Sequence, residues 1–368
     1  MANTAPPAPP PPSTRLDLYD PGLVPEPAGL NNTGAICWMN SFLQGFASCS
    51  AVVRATFANR EYLALTRTGR ALYDFIWAAV PRGRPMGGEP FAGRPPVLAA
   101  SSAAVLAALR ADLRERRPQS ALVFGAGQQS ASEALVHILD MTDDPRPPVL
   151  DSQGRRRPPR ENPLSSHFHH RYRGRVICYG CRDVVSEMQE DIAVQFEFFH
   201  FDLLRPPPST PEEFARGLLS YSTVLEDYVC EKCKRATGGH REYVLKMIPE
   251  VFVVMFNAYA QPRPVRYFPR AFTLPAKDGG GLEYRQVAQI EHTGSLAGGH
   301  YIARAARASP SSLAGEQSLR GTGPNPSADM PIFNLNDSAV SPSAFGPASG
   351  VYMVIYHVSD APDYIQEG

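Results

Sequence analysis

The 368-residue sequence carries no net charge: Lys plus Arg and Asp plus Glu number 36 each, giving +0 at pH 7. No global field gathers a polyanion, so a nucleic-acid partner is not expected. No stretch of 18 continuous apolar residues occurs, and none of the chain reads as a membrane-spanning helix. Met1 to Pro12 lacks the basic region and apolar run of a signal peptide. Cysteine is scarce, six in all, and four of the six fall in two CxxC pairs. That usage suits a metal site in a reducing compartment better than a disulfide framework, and an intracellular location in cytoplasm, nucleus or both is expected. The low hydrophobicity and high charge of disordered chains are also missing, with 43% hydrophobic and 20% charged residues.

Proline is abundant, at 37 residues. It fixes φ and lacks an amide donor, so its clusters mark linkers and loops. Residues 1–27 read as a disordered Pro-rich lead-in, with PPAPPPP at 6–12 favouring extended polyproline backbone and offering a site for an extra partner. Residues 81–97 and 141–163 read as loops, the second carrying a solvated charge run, Arg155 to Arg157 and Arg160.

Hydrophobic spacing divides the remainder. Met39, Phe42, Leu43 and Phe46 follow a Gly/Asn/Thr loop with helical period, and further helical patterns occupy 50–80, 103–115 and 128–140. From residue 164 the pattern changes to β-branched and aromatic runs, such as EVFVVMFNAY, LEYRQVAQIEHTG and GVYMVIYHV, with one helix expected at 212–220. A helical part over 28–140, a β-rich part over 164–260 and a second β-rich part over 261–360 are expected, giving an α+β chain.

Cys178-x-x-Cys181 and Cys230-x-x-Cys233 supply four thiolates at knuckle spacing, enough to close a tetrahedral structural zinc site with no open position. One zinc per chain would join two distant β segments; redox pairs or unligated thiols are the alternatives. Cys49 sits in an apolar helical pattern and reads as a buried structural thiol. Cys37 lies at the expected start of a helix, where unpaired amides favour a thiolate. On this physical ground it is either a nucleophile or an ordinary helix-start cysteine.

The segment from Gly29 to Gln44, GLNNTGAICWMNSFLQ, resembles the cysteine box GLxNxGxTCYMNSxLQ of ubiquitin-specific proteases, with Ile36 and Trp38 in place of the usual Thr and Tyr. Gln128 to Leu135 is similar to that family's QQDAxEFL segment, with Ser130 for Asp and Ala134 for Phe; packing is the role expected of it, including Glu133. His292-Thr293-Gly294 followed by Gly299-His300-Tyr301 resembles the histidine box, Asn336-Asp337 the FDDxxV box, and Val351 to Tyr356 the terminal AYxLFY strand. The resemblance spans roughly 29–357.

It implies a papain-like cysteine protease fold with helical thumb, β-rich palm and zinc-bearing fingers, the catalytic domain occupying 28–360. It implies Cys37 as nucleophile, His300 as general base, Asn336 as the residue orienting that base, and Asn32 as an oxyanion donor. Asp337 stands beside Asn336 as an assisting residue or as the alternative third member, and His292 is the non-catalytic histidine. The implied activity is hydrolysis of the bond after the carboxyl-terminal glycine of ubiquitin, with ubiquitin or ubiquitinated proteins as partners. A silent ubiquitin-binding scaffold and a protease for another ubiquitin-like modifier are the alternatives.

Overall fold

The computed structural model describes residues 23–24, 27–79, 84–85, 102–123, 129–143, 145, 161–187, 191–197, 208–256, 267–276, 279–295, 298–307, 330–346 and 350–358. The Arg155 to Arg160 run, Gln128 and most of the Pro-rich lead-in lie outside them. Within the lead-in, β1 (Leu23–Val24) pairs antiparallel with β2 (Arg84–Pro85).

The amino-terminal part is helical: α1 (Cys37–Phe46), α2 (Ser50–Ala58), α3 (Arg60–Leu63), α4 (Arg67–Ala79), α5 (Ser102–Arg116), α6 (Pro118–Val123) and α7 (Ala131–Thr142). All ten residues of α1 are buried. A helix buried around its whole circumference belongs in the middle of a domain, and α1 lies between the other helices and the main sheet. The helices are tied by buried caps. Asp112 on α5 accepts from the Thr68 amide (2.8 Å) and hydroxyl (2.7 Å) at the start of α4. Ser130 and Glu133 form a capping box on α7, so the Ser that replaces the family's Asp still satisfies a first-turn amide.

Two sheets follow. The smaller contains β3 (His170–Cys178), β4 (Val184–Glu187), β5 (Asp191–Ala193), β7 (Ser220–Leu225) and β8 (Gly239–Met247) in the order β4-β3-β8-β7, with β5 also on β3. The larger runs β14 (Ala339–Ser343), β13 (Ile332–Asn336), β12 (Gly298–Ala306), β11 (Gly281–Ser295), β15 (Val351–Val358), β9 (Val251–Met255), β6 (Phe196–Glu197), with β10 (Ala271–Pro275) on β11. Every pairing is antiparallel except β6 with β9.

The near-continuous apolar runs of β9 and β15 follow from burial on both faces. Val251, Val253, Met255, Met353 and Ile355 join the core shared with the helices. Phe252, Val254, Val354, Tyr356 and Val358 join a second core under α8 (Pro211–Leu219). Helix α8 starts as its sequence dictates, with Thr210 capping the Glu213 amide and Pro211 in the first turn. Among the described residues the smaller sheet meets this second core at one end, through His170, Tyr172, Tyr221 and Leu245. Along β7 the pattern is alternately exposed and half-buried, and Val224 remains 65% exposed. The far end of this sheet therefore has little apolar surface to order it. Among the described residues no helix is long and apolar enough to cross a membrane.

Candidate active site

The site forms where the start of α1 meets the β11–β12 hairpin and the β13–β14 turn. Asn32, Cys37, His300, Asn336 and Asp337 all come from these three segments. Cys37 opens α1 and is buried. Ile36, where the family has Thr, is the N-cap and supplies no side-chain acceptor. The nearby backbone amides of Tyr301, Trp38 and Cys37 instead favour the thiolate of Cys37. Burial pushes the Cys37 thiol up, the Tyr301 amide pulls it down, and the nearby Asp337 carboxylate adds to the upward push. A protonated thiol at rest needs a base beside it.

The loop before Cys37 is held open by unusual backbone. Gly34 and Ala35 both have positive φ, 113° and 47°. The Trp38 indole N–H donates to the Ala35 carbonyl at 2.9 Å, fixing the left-handed residue that Ala tolerates poorly on its own. The Trp that replaces the family's Tyr thus braces the loop.

His300 immediately precedes the residue whose amide reaches the sulfur. Its Nε2 lies 2.7 Å from Asn336 Oδ1, at the end of β13. An amide oxygen only accepts, so Nε2 carries the hydrogen, and in the neutral ring Nδ1 is then the nitrogen able to accept. Asp337 Oδ2 is more distant from Nε2, at 3.9 Å. His292 is buried against the Tyr301 ring, with centroids 4.5 Å apart. Gly299 packs so closely on it that a Cβ there would clash with the His292 ring and the Thr293 carbonyl.

Asp337 occupies the two-residue turn between β13 and β14 with φ 49°, and its carboxylate receives Asn32 Nδ2 at 3.0 Å and Asn40 Nδ2 at 2.6 Å. Asn32 Oδ1 accepts from the amides of Gly34 and Ile36, both at 3.3 Å. The cysteine loop and this turn also meet through backbone. Leu30 N donates to Asp337 O at 2.8 Å, and a Cβ on Gly29 would lie 2.5 Å from Ser338 O.

Sequence reasoning passed over two residues that support α1. Arg307, fully buried at the end of β12, donates to the Gln44 carbonyl at 2.9 Å and to the side chains of Gln44 and Ser48; burial pulls its pKa down to about 10. Its charge gave no hint, since one arginine in a strand usually faces water. Asn40, in the cysteine box itself, also receives the Ser102 hydroxyl from α5. Cys49 is buried, and burial raises its thiol pKa far above the ordinary range.

The four cysteines of the CxxC pairs converge at the apolar-poor end of the smaller sheet, their sulfurs all within 4.8 Å of one another. Cys178 Sγ lies 3.8 Å from Cys233 Sγ, and Cys181 Sγ 3.9 Å from Cys230 Sγ. Tetrahedral zinc with bonds of about 2.3 Å requires sulfur edges of about 3.8 Å, which these two edges match. The two knuckles match each other. Arg182 N donates to Cys178 O and Lys234 N to Cys230 O, each at 2.8 Å, and Arg182 and Lys234 share left-handed φ of 56° and 58°. Amide-to-sulfur bonds from Gly180 to Cys178 (3.2 Å) and from Cys233 to Cys230 (3.4 Å) favour thiolates.

A helical layer carrying a cysteine at the start of its central helix, packed on an antiparallel sheet with a cysteine-caged extension, defines the papain-like α+β fold of the ubiquitin-specific protease type. The model of the family described as ubiquitin carboxyl-terminal hydrolase matches residues 28–356. The chain belongs to this family. Among solved structures it is similar to the SAGA DUB module of Ubp8, Sgf11, Sus1 and Sgf73 bound to monoubiquitin, with TM-score 0.59 and 15% identity over 91% of this chain and 70% of that one. The same module bound to ubiquitin aldehyde gives 0.58 and 15% over the same shares. A yeast SAGA DUB module with an Sgf73 variant gives 0.56 and 14% over 91% and 69%. At these identities the likeness is one of fold. No curated protein matches the sequence.

Proposed function

We propose that the chain is a thiol-dependent deubiquitinase that hydrolyses the isopeptide or peptide bond after the carboxyl-terminal glycine of ubiquitin. The observation that carries this reading is the packing of the start of α1, which bears Cys37, against the strand that bears His300, itself held 2.7 Å from Asn336. Family membership supplies the substrate class. Solved modules of the same fold hold monoubiquitin and ubiquitin aldehyde, which supports ubiquitin as the partner here.

In this mechanism Nδ1 of His300 takes the Cys37 proton, and the thiolate attacks the glycine carbonyl carbon. Asn336 holds the ring in the tautomer that leaves Nδ1 able to accept. The resulting oxyanion is met by the Asn32 side-chain amide and the Cys37 backbone amide, donors fixed before the charge develops. The imidazolium then protonates the departing lysine or backbone amine, leaving a thioester on Cys37. Water, deprotonated by His300, attacks the thioester and releases ubiquitin with a free carboxylate.

Cys178, Cys181, Cys230 and Cys233 would hold one structural zinc, ordering the sheet end that lacks a core of its own. A four-sulfur cage leaves no position for substrate, so this metal takes no part in the hydrolysis. With four of the six cysteines gathered in one cage, a reducing cytoplasm or nucleus is the setting proposed. The domain division is proposed as thumb 28–140, fingers within 164–260 and palm 261–360.

An electrophile-tipped ubiquitin probe tests the reading. The zinc-loaded chain should form one covalent adduct, and Cys37→Ser none. Absence of an adduct from the folded wild type would overturn it.

A further inference from the structure

We infer that Ser102, at the start of α5, is a positioning residue for the oxyanion hole, acting through Asn40 and Asp337 on the Asn32 amide. The inference rests on the deubiquitinase reading above.

The chain of hydrogen bonds has a direction at every joint. Ser102 is fully buried, and its hydroxyl donates to Asn40 Oδ1. This fixes the oxygen end of the buried Asn40 amide toward α5 and its nitrogen end toward the β13–β14 turn. Asn40 Nδ2 then donates to Asp337 Oδ1 at 2.6 Å, with a longer contact to Asn31 O at 3.4 Å. The opposite amide orientation would set Oδ1 against the Asp337 carboxylate, oxygen facing oxygen. With Oδ1 of Asp337 occupied in this way, Oδ2 receives Asn32 Nδ2 at 3.0 Å. Asn32 Oδ1 is meanwhile committed to the Gly34 and Ile36 amides. One hydrogen of Asn32 Nδ2 is thereby used to aim the other.

Asp337 thus serves Asn32, while Asn336 serves His300. Adjacent residues of one tight turn position the two halves of the catalytic apparatus separately. The Asp337 backbone is held for this task in the left-handed region, and its carbonyl is pinned by the Leu30 amide. The hydroxyl matters because Asn40 would otherwise present a buried, unsatisfied oxygen able to turn.

Losing an oxyanion donor outright lowers kcat about 10²- to 10³-fold, and misaiming one costs part of that. Ser102→Ala is expected to lower kcat on a fluorogenic ubiquitin substrate by on the order of tenfold with KM unchanged. The loss should disappear when Ser102→Ala is made in an Asn32→Ala background, because the group it aims is gone. Alkylation of Cys37 by iodoacetamide develops no oxyanion, so its rate should be the same in wild type and Ser102→Ala. Ser102→Cys keeps the side chain's bulk but donates weakly, and carries the same comparison should the alanine variant be poorly folded. Equal losses in the two backgrounds, a loss expressed in KM, or parallel slowing of alkylation would overturn the inference while the enzyme reading stood. A folded wild type with no turnover would overturn the enzyme reading and this inference with it.

Discussion

His300 Nε2 lies 2.7 Å from Asn336 Oδ1, closer by more than an ångström than the 3.9 Å to Asp337 Oδ2. This spacing supports the proposal that the neutral amide, not the adjacent carboxylate, orients the imidazole. Asn336→Ala should therefore lower kcat by roughly 10²-fold or more, since general-base catalysis itself contributes about 10²- to 10⁴-fold. Steady-state hydrolysis of a carboxyl-terminal ubiquitin conjugate checks this. A near-normal kcat would remove Asn336 from the triad.

Asn32 is expected to act on turnover and not on binding. Asn32→Ala should cost about 2.7 to 4 kcal/mol of transition-state stabilisation, read as a fall in kcat with the affinity for ubiquitin unchanged. Titration of an inactive Cys37→Ala chain with ubiquitin, with and without the Asn32 change, supplies the binding half of the comparison.

Zinc analysis of the purified chain should give about one equivalent, in line with one closed four-sulfur site. Cys178→Ser or Cys233→Ser should lose the metal and lower the unfolding temperature. A folded chain free of metal would show that the sulfur cage serves another purpose.

Acid should weaken the fold through a buried histidine. His170 begins β3, stacked on Phe252 at 5.3 Å and buried, and burial pulls its pKa down to about 4. The unfolded chain binds this proton near pH 6.5, so the folded state is fully favoured above that pH. Stability is lost as pH falls from about 6.5 to 4, by about 3 kcal/mol in all. Chemical denaturation across this window should show the slope, and His170→Phe should flatten it.

Gly29 permits the contact that joins the cysteine loop to the Asn336–Asp337 turn. Gly29→Ala places a Cβ 2.5 Å from the Ser338 carbonyl, and the backbone cannot yield there without moving Asp337. A destabilisation of about 1 to 3 kcal/mol is expected, as for other overpacked sites. Thermal unfolding reads that cost, and kcat should fall along with it.

Much of this arrangement was legible in the sequence because each piece had a local signature. The start of α1 at Cys37, the helix at 211–219 and the apolar strands β9 and β15 follow from spacing, capping residues and continuous burial. The knuckle cysteines announced their own site. Strand β7 was not legible because SYSTVL is short, half-buried on one face and exposed on the other, and it lies at the edge of its sheet beside β8. Strands β13 and β14 were obscured by a short polar turn and by Pro342. Ser102 and Arg307 were beyond any local pattern, since their roles exist only when α5 and β12 lie against α1. The division of labour between Asn336 and Asp337 needed coordinates too, because neighbours in sequence differ there only in which way each side chain reaches.

Strand β15 is inserted between β11 and β9, with α1 and the second core on its two faces. During synthesis the histidine hairpin and the β9 region therefore leave the ribosome with the seam between them open. Until residues 351–358 emerge, β11 and β9 have no common neighbour, and the sheet under Cys37 stays divided. The sheet under Cys37 thus waits for residues 351–358, and a nascent chain that has emerged only as far as Asp337 lacks the strand that closes it.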